Sequence, residues 1–279
     1  MQICIGTANF FAGYGIRNKK IENQNEIINY AVSKGIKSID YSFLYGTLSS
    51  QFIEKIKKHS LTVHLKSSIT SNFDHQIFVK NILLFNKNLN KDNIVSLSIH
   101  DPWNISEYNV DLLKNSLEII KKELPKLQIG LSVYNKSDFK FLKRLKFIEI
   151  IQLAYNPFEN DVFNYFKEIV NLDNKIKLQI RSVFMQGLLI TRDIKKLQIN
   201  NNLKKHHEKW IEFVDHSGYS SKEICIDFAI KSNADQIVLG LDNILHFEEI
   251  LKIFKQKIII KVPDFKIARS ISDARNWTK

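Results

Sequence analysis

The sequence predicts one (β/α)8 TIM barrel, an α/β fold in a single domain over residues 1–279. Three observations lead there. Short apolar runs alternate eight times with longer amphipathic segments, the mark of βαβ units. Eight such units in about 250 residues match the size of a barrel. The first apolar run leads into Gly6-Thr7-Ala8-Asn9-Phe10, without the GxGxxG that an open dinucleotide-binding sheet carries there. No stretch rich in proline, glycine or serine marks a domain boundary.

The elements follow in order. Residues 3–8 read as the first strand. Residues 22–33 read as a helix, because Ile27, Ile28, Ala31 and Val32 recur at helical spacing, and Gly35 ends it as a C′ glycine would. Strands are expected at residues 36–40, 61–66, 93–99, 127–132, 147–152, 176–182 and 236–239. Each is a near-continuous apolar run, as a sheet buried on both faces would require. Helices are expected at 49–58, 74–86, 111–123, 137–145, 161–170 and 243–254. The long segment 203–230 holds more than one.

Composition narrows the function. The formal charge is +12, from 41 basic and 29 acidic side chains. The lysines are spread along helical segments, as in Lys57-Lys58 and Lys121-Lys122, which fits a solvated surface better than a nucleic-acid face. Cys4 and Cys225, the two cysteines, form no disulfide framework and no CxxC. The N-terminal residues show no basic n-region and no apolar h-region, so no secretory signal is expected. No apolar run is long enough to span a bilayer. The expected location is the cytoplasm, with a small molecule rather than nucleic acid or membrane as partner. His206-His207-Glu208 is not expected to bind metal, because adjacent helical residues point about 100° apart.

In a barrel, chemistry sits where strands end and the following loops begin. The second strand ends in Asp40, and its loop carries Tyr45-Gly46. The third ends in Lys66, and the fourth in His100-Asp101-Pro102-Trp103. A carbonyl that accepts hydride needs a proton on its oxygen, and tyrosine can supply one. Its unperturbed pKa of about 10 is high for that work. Lys66 would lower it, Asp40 would hold Lys66 charged, and His100 would position the carbonyl oxygen. Asn9, Phe10, Phe11 and Trp103 are placed to line a substrate pocket.

These segments resemble those of the aldo-keto reductases. Asp40-Tyr41-Ser42-Phe43-Leu44-Tyr45-Gly46 is similar to their Asp-x4-Tyr-Gly segment. Val63-His64-Leu65-Lys66 is similar to their lysine strand, and Ser98-Ile99-His100-Asp101-Pro102 to their histidine segment. Gly130 to Val133, Ile151 to Asn156 and Arg181 to Leu189 resemble three further strands and loops. The ordered set spans residues 6 to about 251. The resemblance implies Asp40, Tyr45, Lys66 and His100 as a catalytic tetrad, and NADPH, with NADH as the other candidate, extended across the C-terminal rim. It places Ser132 and Gln152 on the nicotinamide carboxamide. It places Ser182, Phe184 and Gln186 around the pyrophosphate. Thr7, Gly240, Asp242 and His246 complete the expected cofactor contacts.

Two departures stand out. Arg181 occupies the place of a tyrosine that stacks on the nicotinamide, and a guanidinium can also stack on a planar ring. The arginine for the 2′-phosphate falls near His246, and the asparagine that contacts adenine near Ile250. The function implied is reduction of an aldehyde or ketone, sugar-like substrates included, to an alcohol, with Tyr45 as general acid. The competing reading is a catalytically weak barrel that binds a nucleotide or a protein partner.

Overall fold

In a computed structural model, eight parallel strands close into a barrel in sequence order, β8 pairing with β1. The structure describes every residue except 17–19, 71, 91, 141–143, 146, 171–175, 195–196, 198, 274–276 and 278–279. The strands are β1 (Gln2–Gly6), β2 (Ser38–Ser42), β3 (Thr62–Ser67), β4 (Ile94–Ile99), β5 (Gln128–Val133), β6 (Ile148–Ala154), β7 (Lys177–Arg181) and β8 (Gln236–Gly240). A short helix α1 (Ala8–Phe11) follows β1. The longer helices are α2 (Gln24–Ser33), α3 (Ser50–Lys58), α4 (His75–Asn88), α5 (Val110–Glu123), α6 (Asp161–Val170), α7 (Asn201–Ser217), α8 (Ser221–Lys231) and α9 (Ile244–Ile253); α10 (Arg269–Ser272) lies in the tail.

Local chemistry sets the helix ends. The Ser49 hydroxyl accepts from Phe52 N–H at the start of α3, and the Asp74 carboxylate accepts from Gln76 and Ile77 N–H at the start of α4. Ser220 and Glu223 form a capping box on α8. Gly35 closes α2 in the left-handed conformation, at φ 77°. Among the described residues, no helix is long and apolar enough to cross a membrane.

Two expectations change. The helix anticipated at 137–145 is, in its described part, one 3-10 turn at Lys136–Phe139; residues 141–143 lie outside the described set. A capping box between Asn135 and Asp138 tightens that turn. The strands are also not apolar throughout. Lys66 on β3 bonds to Gln152 on β6, and Gln179 on β7 to His64 on β3, so these side chains face each other across the barrel interior. Their strand neighbours Val63, Leu65, Leu97, Ile99, Ile180 and Leu239 point the other way and are buried in the hydrophobic core. The pleat thus puts apolar residues under the helices and polar ones inside the barrel.

Candidate active site

Asp40 and Lys66 meet at the upper end of that interior. Lys66 Nζ donates to Asp40 Oδ1 at 2.5 Å and to Gln152 Oε1 at 3.1 Å. Gln152 Nε2 donates to the other carboxylate oxygen at 2.8 Å and to Gln179 Oε1 at 3.1 Å. Burial alone would raise the Asp40 carboxyl; the Lys66 charge and the bonds from Lys66 and Gln152 outweigh it and hold it below its ordinary value. Asp40 is therefore ionised, and its charge neutralises a lysine almost wholly shut from water.

Tyr45 reaches this pair from the loop after β2, and the loop is held at both ends. The Ser42 hydroxyl accepts from Leu44 N–H, which starts the 3-10 turn Phe43–Tyr45. The Tyr41 hydroxyl donates to the Gly46 carbonyl at 2.6 Å. Gly46 sits at φ 128°, where an added Cβ would come within 2.9 Å of Phe11, so the Tyr-Gly pair needs its glycine. Lys66 Nζ then stands 5.2 Å from the centre of the Tyr45 ring, and the His100 ring meets Tyr45 edge-on at 5.9 Å.

Lys66 is expected from the sequence to lower the Tyr45 pKa. The net effect runs the other way: burial and the Asp40 charge lift the phenol well above its ordinary value, against a lowering contribution from Arg181. Tyr45 is thus a protonated phenol across the neutral range. His100 is pushed down to about 3, by burial first and then by the charges of Lys66 and Arg181, so its imidazole is neutral. The Ser42 Oγ accepts from Leu44 N–H and lies 2.9 Å from His100 Nδ1. Where this hydroxyl donates to Nδ1, the hydrogen of the neutral imidazole is on Nε2.

Beneath the ion pair lies a second polar layer. Gln179 Nε2 donates to His64 Nδ1 at 3.0 Å and to Gln236 Oε1 at 2.7 Å, and His64 Nε2 lies 3.0 Å from Ser38 Oγ. Because Nδ1 accepts, His64 is neutral with its hydrogen on Nε2; burial accordingly pushes its pKa down to about 4. The layer fixes which way Gln179 points. Gln179 then orients the Gln152 amide, and Gln152 orients the Asp40–Lys66 pair.

Two neutral buried imidazoles have a consequence for stability. Between a pH of 6.5 and about 4 the unfolded chain takes up protons on His64 and His100 that the folded chain refuses. Their contribution is complete above 6.5 and is lost as the pH falls. The urea midpoint should therefore be lower at about pH 5 than at about pH 7, and a His64→Gln, His100→Gln double variant should show a shallower fall. Equal slopes in variant and parent would reject this assignment.

An open cleft runs from Asp40, Tyr45 and Lys66 across the C-terminal rim. Asp40, Tyr45 and Lys66 form its closed end, Arg181 to Phe184, Gln186 and Gly187 its side, and Gly240, Asp242 and His246 its far end, with Thr7 and Asn9 on the floor. Ser182, Met185 and Gln186, after β7, adopt positive φ of 57°, 47° and 53°. Such conformations cost of order 1 kcal/mol or more each and cluster at functional sites. Ile16 N–H donates to the Gln186 carbonyl, so the loop after β1 straps across this turn and brings Tyr14 and Gly15 into the cleft wall.

Most of the expected residues come together, but not all. Phe10 does not line the cleft. It is fully buried, with its ring against Phe11 and Phe52, because α1 turns that face into the core. Ser132 and Gln152 lie just below the cleft wall rather than on it, and both N–H groups of Gln152 are already spent within the barrel. Trp103 stands at the rim, 44% exposed, edge-on to Tyr134 at 5.1 Å. His207 is buried, with Nε2 2.8 Å from the Thr191 carbonyl, and ties α7 to the loop after β7. Tyr14, Tyr134, Ser42 and Gln179 also belong to the site, although their sequence context marks none of them as a functional residue. Among the described residues no cluster of histidine, cysteine and carboxylates forms a metal site.

A sequence model described as the Aldo/keto reductase family matches residues 2–264. The chain belongs to this family. Among solved structures it is similar to aldo-keto reductase AKR11C1 from Bacillus halodurans in its holo form, with a TM-score of 0.70 and 14% identity over 93% of this chain and 88% of that one. It is also similar to glycerol dehydrogenase AKR11B4 from Gluconobacter oxydans, with a TM-score of 0.66 and 15% identity over 92% and 87%. At such identities the likeness is one of fold. A search of curated proteins gives no match. Family membership makes the chain an oxidoreductase that acts on small carbonyl compounds.

Proposed function

We propose that this family member reduces an aldehyde or ketone to an alcohol with NADPH or NADH, and that Tyr45 is the general acid. The observation that carries this reading is the protonated Tyr45 phenol at the closed end of the cleft, beside a buried Lys66–Asp40 pair and a neutral His100. The cleft suits an extended dinucleotide. It is open at its far end, where a Cβ on Gly240 would meet nothing within 4 Å, and it bends past the three positive-φ residues after β7. Thr7, Arg181, Ser182, Phe184, Gln186, Gly240, Asp242 and His246 are the residues that would hold the cofactor there. The buried Ser132 hydroxyl, which has no partner, is the donor left over beneath the reacting end.

When bound, the cofactor supplies the hydride. The chain does the rest. His100 Nε2–H and the Tyr45 hydroxyl orient the carbonyl oxygen. As charge grows on that oxygen, Tyr45 releases its proton to it, and the adjacent Lys66 ammonium stabilises the phenolate left behind. Gln152 and Asp40 keep Lys66 in place throughout. Asn9, in the cleft lining, and Trp103 are the residues that would contact substrate.

The test is to mix purified protein with NADPH or NADH and a panel of aldehydes, ketones and aldoses, following nicotinamide absorbance. Substrate-dependent consumption with at least one pairing is expected. Binding of both cofactors with no turnover of any carbonyl would overturn the reading.

A further inference from the structure

Among the described residues, two cations that face inward have carboxylate partners and a third has none. Lys66 has Asp40, and Arg269 has Glu159 and Asp273. Arg181, on the cleft wall at the end of β7, has no carboxylate within ion-pair distance among the described residues. Its one hydrogen bond runs from Nη2 to the Val133 carbonyl at a long 3.4 Å. Its Nε is shut from water and has no partner. Its other polar neighbours are the phenols of Tyr134, Tyr14 and Tyr45; Glu159 is the further acid that acts on it, and Arg269 already holds that group. A half-buried charge without a counter-ion loses favourable hydration when a ligand closes over it, unless the ligand supplies an anion.

The guanidinium is nevertheless held firmly. Its carbon lies 4.1 Å from the centre of the Tyr134 ring, and Trp103 packs edge-on against the same ring. One flat face is thus spent on Tyr134, which leaves the edge donors and the opposite face for the cleft. A planar fork of donors with a fixed plane is suited to a carboxylate. Tyr45, the group that would protonate the carbonyl, lines the same cleft as Arg181, so one molecule in that cleft can present a carbonyl to the first and an anion to the second.

Resting on the reading of function above, we propose that Arg181 binds a carboxylate carried by the substrate, so that the substrates are oxo acids or aldehyde acids. The anion is to be separated experimentally from a phosphate of the cofactor. Matched pairs serve for this: pyruvate with methyl pyruvate, and succinic semialdehyde with its methyl ester. At least one acid should be reduced with a higher kcat/KM than its ester. Arg181→Gln should lower the acid-to-ester ratio of kcat/KM roughly tenfold to a hundredfold, the worth of a charge-assisted hydrogen bond, on top of any loss that acid and ester share through the cofactor. If the variant instead weakens NADPH and NADH binding and slows acid and ester alike, the anion belongs to the cofactor and the proposal falls.

A second measurement does not depend on turnover. Oxamate, an unreactive carboxylate, should bind the wild-type protein saturably, read by isothermal titration calorimetry, and bind Arg181→Gln at least tenfold more weakly. Such binding in a protein that reduces no carbonyl would uphold the anion site and reject the catalytic reading. Oxamate binding that is absent, or the same in both proteins, would reject the site.

Discussion

Replacing Tyr45 with phenylalanine should reduce turnover by roughly 10²–10⁴-fold, the usual contribution of a positioned general acid, and leave folding and cofactor affinity almost unchanged. The separation follows from the geometry. The ring of Tyr45 packs against His100 and Lys66, and phenylalanine keeps that ring. The hydroxyl accounts for none of the bonds that hold the loop, which come from Ser42 and Tyr41. Only proton delivery is lost. A second signature is the pH profile. Because kcat/KM reports groups of the free enzyme, and burial with the Asp40 charge lifts the phenol well above its ordinary value, reduction should stay level through the neutral and mildly alkaline range. A profile that falls in step with an ionisation near neutrality, or a phenylalanine variant with full activity, would remove Tyr45 from the reaction.

The groups that flank Tyr45 were legible in the sequence because barrel chemistry sits at strand ends, and Asp40, Lys66 and His100 are polar residues at the ends of three apolar runs. Their supporting layer was harder to read. His64, Gln179 and Ser38 alternate with isoleucine and leucine in a chain rich in both, so their strands pass for apolar. Which glutamine meets which acid depends on closure of the barrel, since Gln152 and Asp40 lie on strands that are not neighbours. Phe10 misled for a related reason: its place after β1 is right for a pocket, but the direction of α1 decides where the ring goes. Tyr14 lies in a loop with no periodicity, and only its crossing over Gln186 brings it to the cleft.

Asp40→Asn tests the stability side of the same site, and its effect should be large. The carboxylate accepts from Lys66 on one oxygen and from Gln152 on the other. Asparagine can accept from only one of them and must turn an N–H toward the other donor. Lys66 would be left without a counter-ion in a site only 3% exposed. Breaking a buried pair from one side typically costs roughly 3–5 kcal/mol, which calorimetry or urea titration would resolve. The sign of the pH response discriminates further. Since Asp40 has its pKa lowered on folding, its contribution is complete above the unfolded carboxyl value and is lost as the pH falls through the folded one. The parent should therefore lose its advantage over Asp40→Asn under strongly acid conditions, where both carry a neutral group at this position. Double replacement of Asp40 and Lys66 by asparagine and methionine should be less destabilising than Asp40→Asn alone, because no orphan charge remains. If the single and double variants are equally unstable, the damage lies in packing or in the Gln152 network rather than in the unpaired ammonium.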